Sequence, residues 1–462
     1  MWLFWASLIL LIGLRCYPYF YSSVPLGYDA GLYLYLFKQY NQHSLLAYQE
    51  LSKWVISQFP LGIAVIGRLL TTFIPPEKLL ISLIVAFSGL LFVSVYVLAR
   101  HLWGKREALW TVLVLTASAL QFRTYWYYYA KQIFGSSLLL FAMYFFLRSS
   151  FWAVPLTILI AYTHEPTFIV LMFALGAGFI IEKPKRRYYG TVIAVTALFA
   201  ALYYVPHYAV TIQQYISPVI SSFVPKQVGG TMGTSSGTFY DMLPALLLSL
   251  PYLPFAVVGL LRQWKKKGGA PLLGALIGSL VIIVFGLFLS RRFIIFADLF
   301  IIIYAGSGIV YIAEKYKRAR FIRPLLALYA LMLVTFIGVY VYQTAKPPIF
   351  DDELTEIALL RQTEPNAYVL VTDREYMPYV YGWSQRRVIA PRYGEFDTYW
   401  TIPQWHQFWE SNNRETEKNL LLKLPNPLYI FKGDRTTPIY TDLSGPCFQR
   451  INWRTFKFVC EN

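Results

Sequence analysis

Apolar stretches close to the length needed to cross a bilayer recur through the first three quarters of this 462-residue chain. A membrane-spanning helix needs about 20 predominantly apolar residues. Repeated stretches of this length predict an all-α polytopic membrane bundle. We assign about eleven spans, at residues 2–20, 78–99, 107–122, 130–148, 152–164, 166–182, 189–209, 240–261, 270–290, 293–313 and 324–344.

The distribution of charge agrees with this interpretation. Charged residues make up only 14% of the chain, whereas soluble domains carry about a quarter. The net charge of +17 comes from short basic clusters between the apolar stretches. Five of these clusters fall on one side if the N-terminus is cytoplasmic, as the positive-inside rule predicts. The positive charge therefore indicates topology and contact with anionic membrane lipid, and it does not indicate nucleic-acid binding.

The loop after the first span, residues 21–77, is long and faces outward in this arrangement. Its apolar segment 59–74 is short and contains Pro60 and Arg68, so we interpret it as a helix lying in the outer interface. The opening segment could instead be a signal peptide. It lacks a basic start and a small-residue cleavage site, and we expect it to be retained as the first span.

Residues 347–462 differ sharply from the transmembrane part, 1–346, because they contain no long apolar run. Segments 368–372 and 428–431 have the pattern of buried strands. We therefore predict a small α/β extracytoplasmic domain, long enough for one core. Cys447 and Cys460 lie near each other in this part of the sequence. They form either a disulfide, which an oxidising compartment permits, or two free thiols.

Polar residues near the ends of the spans gather on the predicted outer side. Asp29 is the first acidic residue of the chain and falls just after the first span. A carboxylate at the edge of the membrane is costly to place there, which suggests a function. The other candidates are Lys131 after the aromatic run 125–129, His164 and Glu165 between two spans, and Arg291 and Arg292 between two later spans.

These residue types suit the transfer of a sugar from a polyprenyl-phosphate donor. The phosphate leaves as an anion, and fixed cations such as Arg291 or Arg292 stabilise the developing charge. The acceptor hydroxyl loses a proton, which Asp29 can take as general base. Aromatic side chains can stack on the sugar and the isoprenoid. A single displacement of this kind inverts the anomeric centre.

Each candidate also has a purely structural interpretation. Asp29 would cap an interfacial helix, and His164 with Glu165 would satisfy a broken helix turn ahead of Pro166. Arg291 and Arg292 would extend to lipid head groups. Lys131 would be an ordinary lysine at a helix end, and the aromatic run would belong to an interfacial belt.

The layout resembles the GT-C class of glycosyltransferases, and within it the lipid A aminoarabinose transferases and the protein O-mannosyltransferases. The resemblance rests on an Asp-x-x-x-Tyr pattern at Asp29 and Tyr33, on interfacial helices in the first loop, on the basic turn at 100–106, and on the terminal domain. It implies that Asp29 is the catalytic carboxylate of the first loop, flanked by Tyr28 and Tyr33 as substrate contacts. It also implies that the run Arg291-Arg292-Phe293 grips the lipid phosphate.

The chain departs from that pattern at one position. Many members of the class have Asp-Glu in the first loop, where this chain has Asp29-Ala30. The missing second acid disfavours a metal-bridged pair in this loop and favours Asp29 alone as the base. No cofactor is required by this interpretation. A divalent metal ion stays open, with Glu165 as the second carboxylate.

We therefore expect a cell-membrane inverting glycosyltransferase whose acceptor is a glycan, a lipid or a protein at the outer face. One alternative is a lipid-linked sugar transporter or flippase, which would place ionisable residues at mid-membrane and often shows inverted repeats. The charges here lie mostly at span ends, apart from Asp298 and a few others, and the sequence shows no repeat. The other alternative is a non-catalytic protein that binds lipid-linked glycan and tolerates loss of Asp29.

Overall fold

A computed structural model describes residues 2–42, 60–206, 239–264, 269–287, 289–390, 399–410, 413–434 and 443–460. The central part of the predicted first loop, 43–59, and the end of the predicted span 189–209 lie outside the described residues. Two compact units are present. The helical unit contains the described residues of Met1–Tyr17, Ser57–Ile63 and Ser82–Ala345, and the sheet unit contains those of Pro18–Ile56, Ala64–Ile81 and Lys346–Asn462.

Apart from α2, which lies in the predicted first loop, the helices before residue 346 follow the predicted apolar stretches. In chain order they are α1 (Trp2–Cys16), α2 (Ala30–Gln42), α3 (Leu61–Thr71), α4 (Pro76–Leu102), α5 (Lys105–Ala117), α6 (Ala119–Trp126), α7 (Ala130–Leu147), α8 (Ala153–Thr163), α9 (Glu165–Ile181), α10 (Arg186–Tyr204), α11 (Met242–Ser249), α12 (Leu253–Trp264), α13 (Ala270–Val284), α14 (Ser290–Lys315) and α15 (Ile322–Thr344). Pro166 and Pro271 stand in the first turns of α9 and α13, where a missing N–H leaves no helix bond unmade.

Several of these helices are long and apolar enough to cross a membrane. Among the described residues there are five, or seven if each of two sharply bent helix pairs counts as one span. The prediction of a multi-pass helical membrane protein is confirmed at this level. The finer count of eleven spans stays a prediction, since α3, α8 and α13 are apolar but short. Segment 59–74 does contain a helix, α3.

Two segments that the sequence predicts as continuous spans are broken. The segment 107–122 divides at Ser118, whose extended backbone ends α5 and whose hydroxyl accepts the amide of Gln121 at 3.2 Å. The segment 240–261 divides between α11 and α12, which are bent by 83° at Pro251 and its neighbours. Hydropathy does not reveal such breaks, because neighbouring polar side chains satisfy the freed backbone groups inside the protein.

The core of the helical unit surrounds α14, which is almost entirely buried along its apolar length. Glycines bring its backbone close to that of α12. A Cβ added at Gly308 would collide with the carbonyl of Phe255, and one added at Gly259 would collide with the carbonyl of Tyr304. Small residues at such crossings allow helices to pack by close backbone approach within a membrane. The residues at the start of α14 are therefore carried on a rigid, buried element.

The sheet unit contains a five-stranded mixed sheet. Its strands are β1 (Tyr368–Val371), β2 (Arg387–Ile389), β3 (Leu428–Phe431), β4 (Phe448–Arg450) and β5 (Thr455–Phe458), in the order β2-β1-β3-β5-β4. The first three strands are parallel, and β5 and β4 run antiparallel to their neighbours. Besides α2, its helices include α16 (Asp351–Leu359), α17 (Ile402–Glu410) and α18 (Arg414–Leu421). The predicted strands at 368–372 and 428–431 are confirmed as β1 and β3.

Part of the first loop packs within this same unit. The carboxylate of Asp351 accepts hydrogen bonds from the hydroxyls of Ser22 and Ser23, at 3.0 and 2.9 Å. The hydroxyl of Tyr379 donates to the carbonyl of Gly27 at 3.0 Å. These contacts join residues far apart in sequence, which composition alone does not indicate.

Cys447 and Cys460 form a disulfide, and Cys16 is a free cysteine. The bond closes the β4–β5 end of the sheet, with a sequence separation of 13. It settles the choice that the sequence left open between a disulfide and two thiols.

We predict that replacing both Cys447 and Cys460 by Ser lowers the free energy of unfolding of the sheet unit by about 3 kcal/mol, because the unfolded chain gains conformational freedom. Tryptophan fluorescence during thermal unfolding would report the shift in midpoint. Cys16→Ser is the matched control and should leave the midpoint unchanged. Equal midpoints for the two variants would contradict the prediction.

The carboxylate of Glu364 links two strands of the sheet. It pairs with Lys457 Nζ at 2.6 Å and accepts the hydroxyl of Tyr429 at 2.7 Å. The hydrogen bond from Lys457, followed by that from Tyr429, lowers the pKa of Glu364 to about 2. A lowered carboxylate pKa stabilises the folded state above the unfolded value of about 4.3, and this contribution is lost as the pH falls towards 2.

Glu364→Gln should therefore lower the unfolding midpoint at pH 7 relative to the wild type. The gap between the two proteins should close as the pH is lowered from about 5 towards 2. Glu410→Gln, at an exposed carboxylate that pairs with His406, controls for general loss of charge. A gap that stays constant across this pH range would be inconsistent with the assignment.

Candidate anion-binding site

Three helices of the helical unit begin close to one another. Lys131 is the second residue of α7, Glu165 is the first residue of α9, and Arg291 and Arg292 stand in the first turn of α14. The side chain of Gln132 donates to the carbonyl of Arg292 at 3.2 Å, which joins α7 to α14. A helix start carries about half a positive charge. Three helix starts beside fixed cations therefore favour the binding of an anion.

The start of α9 lies against α7. A Cβ added at Gly135 would lie 2.8 Å from the hydroxyl oxygen of Thr167 and 3.3 Å from Cβ of His164. Glycine at this position therefore lets the two helix starts approach. His164 immediately precedes α9 in extended conformation, and its carbonyl accepts the amide of Phe168 at 3.0 Å.

The His164 ring is buried, with 1% of the residue exposed. Its Nδ1 is 2.7 Å from the hydroxyl of Thr167, and the charges of Lys131 and Arg292 both act on it. Two of the predicted site residues, Lys131 and Arg292, are thus both within electrostatic reach of a third, His164. Glu165 follows directly in the chain, and only 9% of it is exposed.

Arg291 and Arg292 have different surroundings. Arg291 Nη2 pairs with Asp241 Oδ1 at 2.6 Å, and both side chains are more than a third exposed. An exposed ion pair of this kind contributes only about 0.2–1 kcal/mol to the stability of the protein. The carboxylate of Asp241 nevertheless offsets the positive charge of Arg291. Arg292 instead stacks over the ring of Tyr129, with Cζ 4.9 Å from the centroid. The described contacts of the two arginines therefore differ, an ion pair for Arg291 and a cation–π contact for Arg292.

Two rings of the aromatic run 125–129 are stacked on each other. The rings of Tyr127 and Tyr129 are parallel within 14°, with centroids 5.3 Å apart. Arg123 covers Tyr127 on the same stack, at 4.6 Å, and Trp126 at 3.7 Å. Between the two tyrosines, Tyr128 adopts a positive φ of 61°, which is uncommon for a bulky residue and often marks a constrained site.

The remaining predicted residues belong to the sheet unit. Asp29 immediately precedes α2 and is half-buried, and its carbonyl accepts the amide of Tyr33 at 3.1 Å. This is the position of a helix N-cap. The hydroxyl of Tyr28 donates to the carbonyl of Arg374 at 3.4 Å. Tyr33 is 1% exposed and lies edge-on to Phe37, so it has the surroundings of a core residue.

Within the ranges that the structure describes, no three His, Cys, Asp or Glu side chains are grouped so that they could hold an ion. His164, the one imidazole in the cluster, is engaged with Thr167.

Sequence reasoning missed two contributors to this region. Gln132 was not predicted as a site residue. It is an amide in a largely apolar helix, and a buried amide of this kind usually has a hydrogen-bond partner. Arg15 is the one charged residue of α1, and it is buried with Cζ 4.9 Å from the ring of Phe122 and 5.1 Å from that of Tyr125. In both cases the signal was a single polar residue within an apolar run.

The fold of the chain is that of the GT-C glycosyltransferases, which confirms the resemblance drawn from its layout. It is similar to the apo oligosaccharyltransferase of Archaeoglobus fulgidus, with a TM-score of 0.68 and 12% identity over 93% of this chain and 69% of that one. The similarity to ArnT from Cupriavidus metallidurans in the apo state has a TM-score of 0.61 and 13% identity, over 99% and 97% of the two chains.

A further solved structure matches over the same part of the chain. It is the Archaeoglobus fulgidus oligosaccharyltransferase AglB in complex with an inhibitory peptide and a dolichol-phosphate, with a TM-score of 0.65 and 13% identity, over 93% of this chain and 69% of that one. No protein-family model matches the chain, and no curated protein matches it in sequence. The likeness at these identities therefore concerns the fold.

We predict that Arg292→Gln weakens binding of a polyprenyl phosphate by about tenfold or more, since hydrogen bonds to a charged group contribute about 1.5–3 kcal/mol. Arg291→Gln should have a smaller effect, because Asp241 already offsets its charge. Quenching of tryptophan fluorescence on titration with the lipid would give both affinities. A larger loss for Arg291→Gln would contradict this assignment.

Proposed function

We propose that this protein is a GT-C-type glycosyltransferase that moves a sugar from a polyprenyl-phosphate donor to an acceptor at the outer face of the membrane. The observation that carries the proposal is the cluster of Lys131, His164 and Arg292 at the starts of buried helices, in a fold shared with solved transferases. Helix starts and fixed cations favour a phosphate group. The complex of AglB with a dolichol-phosphate supports a lipid phosphate as the donor class.

The proposed reaction is a single displacement. The acceptor oxygen bonds to the anomeric carbon while the bond from that carbon to the phosphate oxygen breaks. The acceptor proton passes to the carboxylate of Asp29, and the polyprenyl phosphate leaves with the negative charge. Lys131 and Arg292 stabilise that charge as it develops, because they are held in place before the reaction begins. The anomeric configuration is inverted.

The other contacts are assigned secondary roles in this proposal. Tyr28 and Tyr33 flank Asp29 in the chain and orient the segment that carries it. His164, Glu165 and Arg291 surround the helix starts and contribute to substrate binding. The stacked rings of Tyr127 and Tyr129 offer an apolar, aromatic surface of the kind on which sugars and isoprenoids pack.

We further propose that the N-terminus is cytoplasmic and that residues 347–462 form an extracytoplasmic domain that helps to bind the acceptor. The Cys447–Cys460 disulfide supports this side, since such bonds persist in oxidising compartments. The Archaeoglobus fulgidus enzyme has been solved tethered to an acceptor peptide containing an NVT sequon. For the present chain the acceptor class stays open among glycan, lipid and protein.

Asp29→Asn should abolish sugar transfer, with a loss of about 100-fold or more, because a general base contributes about that much. Asn caps helices as well as Asp does, so the unfolding midpoint should stay unchanged. This separates catalysis from capping. Asp351→Asn, which removes a carboxylate bound to Ser22 and Ser23, is the control for the packing of this loop and should retain turnover. Full turnover by Asp29→Asn in purified protein would refute the proposed mechanism.

A parallel reaction with EDTA tests for a divalent metal ion. We expect turnover to survive EDTA, because Asp29 acts alone as the base in the proposed mechanism. Loss of turnover that added Mg²⁺ or Mn²⁺ restores would instead assign Asp29 and Glu165 as the first ligands to test. Binding of the donor without turnover under any condition would favour the non-catalytic alternative.

A further inference from the structure

A buried carboxylate lies beneath the cationic cluster. Asp298 belongs to α14, about two helical turns after Arg291, and 1% of it is exposed. Residues two turns apart lie on the same side of a helix. Asp298 therefore lies on the same side of α14 as Arg291, whereas Arg292 is about a third of a turn around the helix. The reaction proposed above gives this residue no part.

Four neutral groups donate hydrogen bonds to this carboxylate. Oδ2 accepts the hydroxyl of Ser118 and the amide of Gln121, both at 2.9 Å. Oδ1 accepts the hydroxyl of Tyr252 and, at 3.4 Å, that of Ser249. Across the described ranges, Asp298 makes no ion pair with Lys, Arg or His. Since an unsatisfied buried charge is very costly, the four donors are what makes the carboxylate tolerable here.

The four donors come from the two helix breaks. Ser118 ends α5, and Gln121 lies in the first turn of α6. Ser249 ends α11, and Tyr252 immediately precedes α12. Gln121 also donates to the carbonyl of Ile295 at 3.1 Å, so α6 is joined to α14 twice. A single side chain thus fixes two interrupted spans against one continuous helix.

The short helices held in this way lead to the cationic cluster. Arg123 is carried by α6, and Tyr127 and Tyr129 follow it. Asp241, the partner of Arg291, is the residue just before α11. The carboxylate of Asp298 is therefore joined through α6 and α11 to the segments that carry Tyr129 and Asp241.

We propose that Asp298 is a positioning residue, which holds α6 and α11 against α14 so that Arg292 and its tyrosine stack are in place to bind the phosphate of the donor. The inference rests on the proposed function, because it assumes that Arg292 contacts the phosphate. It makes Asp298 part of the donor site although it touches no substrate. A residue with a merely structural role would lower stability without acting through Arg292.

The test is a double-mutant cycle on the full-length protein, with a polyprenyl phosphate as the probe. Asp298→Asn keeps the size of the side chain but replaces one accepting oxygen by a donor. We expect it to weaken binding about tenfold, as does Arg292→Gln. In the double variant the affinity should be no lower than that of Arg292→Gln alone, because residues that act through one contact are non-additive. Tyr252→Phe removes a single donor and should give a smaller loss.

Thr157→Val is the matched control. The hydroxyls of Thr157 and Thr196 form another buried contact in the helical unit, at 2.6 Å. Its loss should lower the unfolding midpoint and leave the affinity for polyprenyl phosphate unchanged. If Asp298→Asn does not fold, Tyr252→Phe combined with Arg292→Gln forms the same cycle.

Two results would overturn the inference while leaving the proposed function standing: wild-type affinity in Asp298→Asn, or losses that simply add in the double variant. In both cases the Arg292→Gln variant alone still binds polyprenyl phosphate more weakly than the wild type does. If Arg292→Gln itself binds the lipid as the wild type does, the proposed phosphate contact fails and the inference fails with it. Non-additive losses together with an unaffected Thr157→Val protein would support it.

Discussion

Lipid offers no hydrogen bonds, so each break in a membrane-embedded helix has to be satisfied from within the protein. In this chain the polar side chains at two such breaks share one buried carboxylate. Asp298 gathers Ser118 and Gln121 from one break and Ser249 and Tyr252 from another. Proline at 251 makes the second break unavoidable, since it cannot donate to a helix ladder. The short helices α6 and α11 are thus both joined to α14 through this carboxylate.

The same arrangement explains why cations meet at one end of the helical unit. A buried straight helix, α14, carries Arg291 and Arg292 at its start, and α7 and α9 begin beside it. Asp241 offsets the charge of Arg291, while Arg292 and Lys131 both act on the buried ring of His164. Positive charge is thereby concentrated where the helix starts already favour an anion. This concentration of positive charge is the reason for proposing a lipid phosphate as the ligand.

Much of the architecture could be predicted from the sequence, because apolar length and composition decide it. Most helices before residue 346 follow the predicted apolar stretches, and β1 and β3 are at their predicted positions. The breaks at Ser118 and at 250–252 were not predicted, since hydropathy does not reveal them, although Pro251 marks the second. Their shared contact is the carboxylate of Asp298, which accepts hydrogen bonds from both breaks and lies far away in the chain. Among the site residues, the convergence of Lys131, His164 and Arg292 followed from sidedness. The difference between Arg291 and Arg292 did not, because it depends on Asp241 and Tyr129.

The central claim is that the protein transfers a sugar with inversion, and the configuration of the product tests it most directly. Purified protein would be incubated with a polyprenyl-phosphate sugar of known anomeric configuration and a membrane extract as the source of acceptor. The anomeric coupling constant of the transferred sugar would then be read by NMR. The account predicts a product of the opposite configuration to the donor. A product with retained configuration would contradict the single displacement, and donor that is bound but never transferred would contradict the enzyme itself.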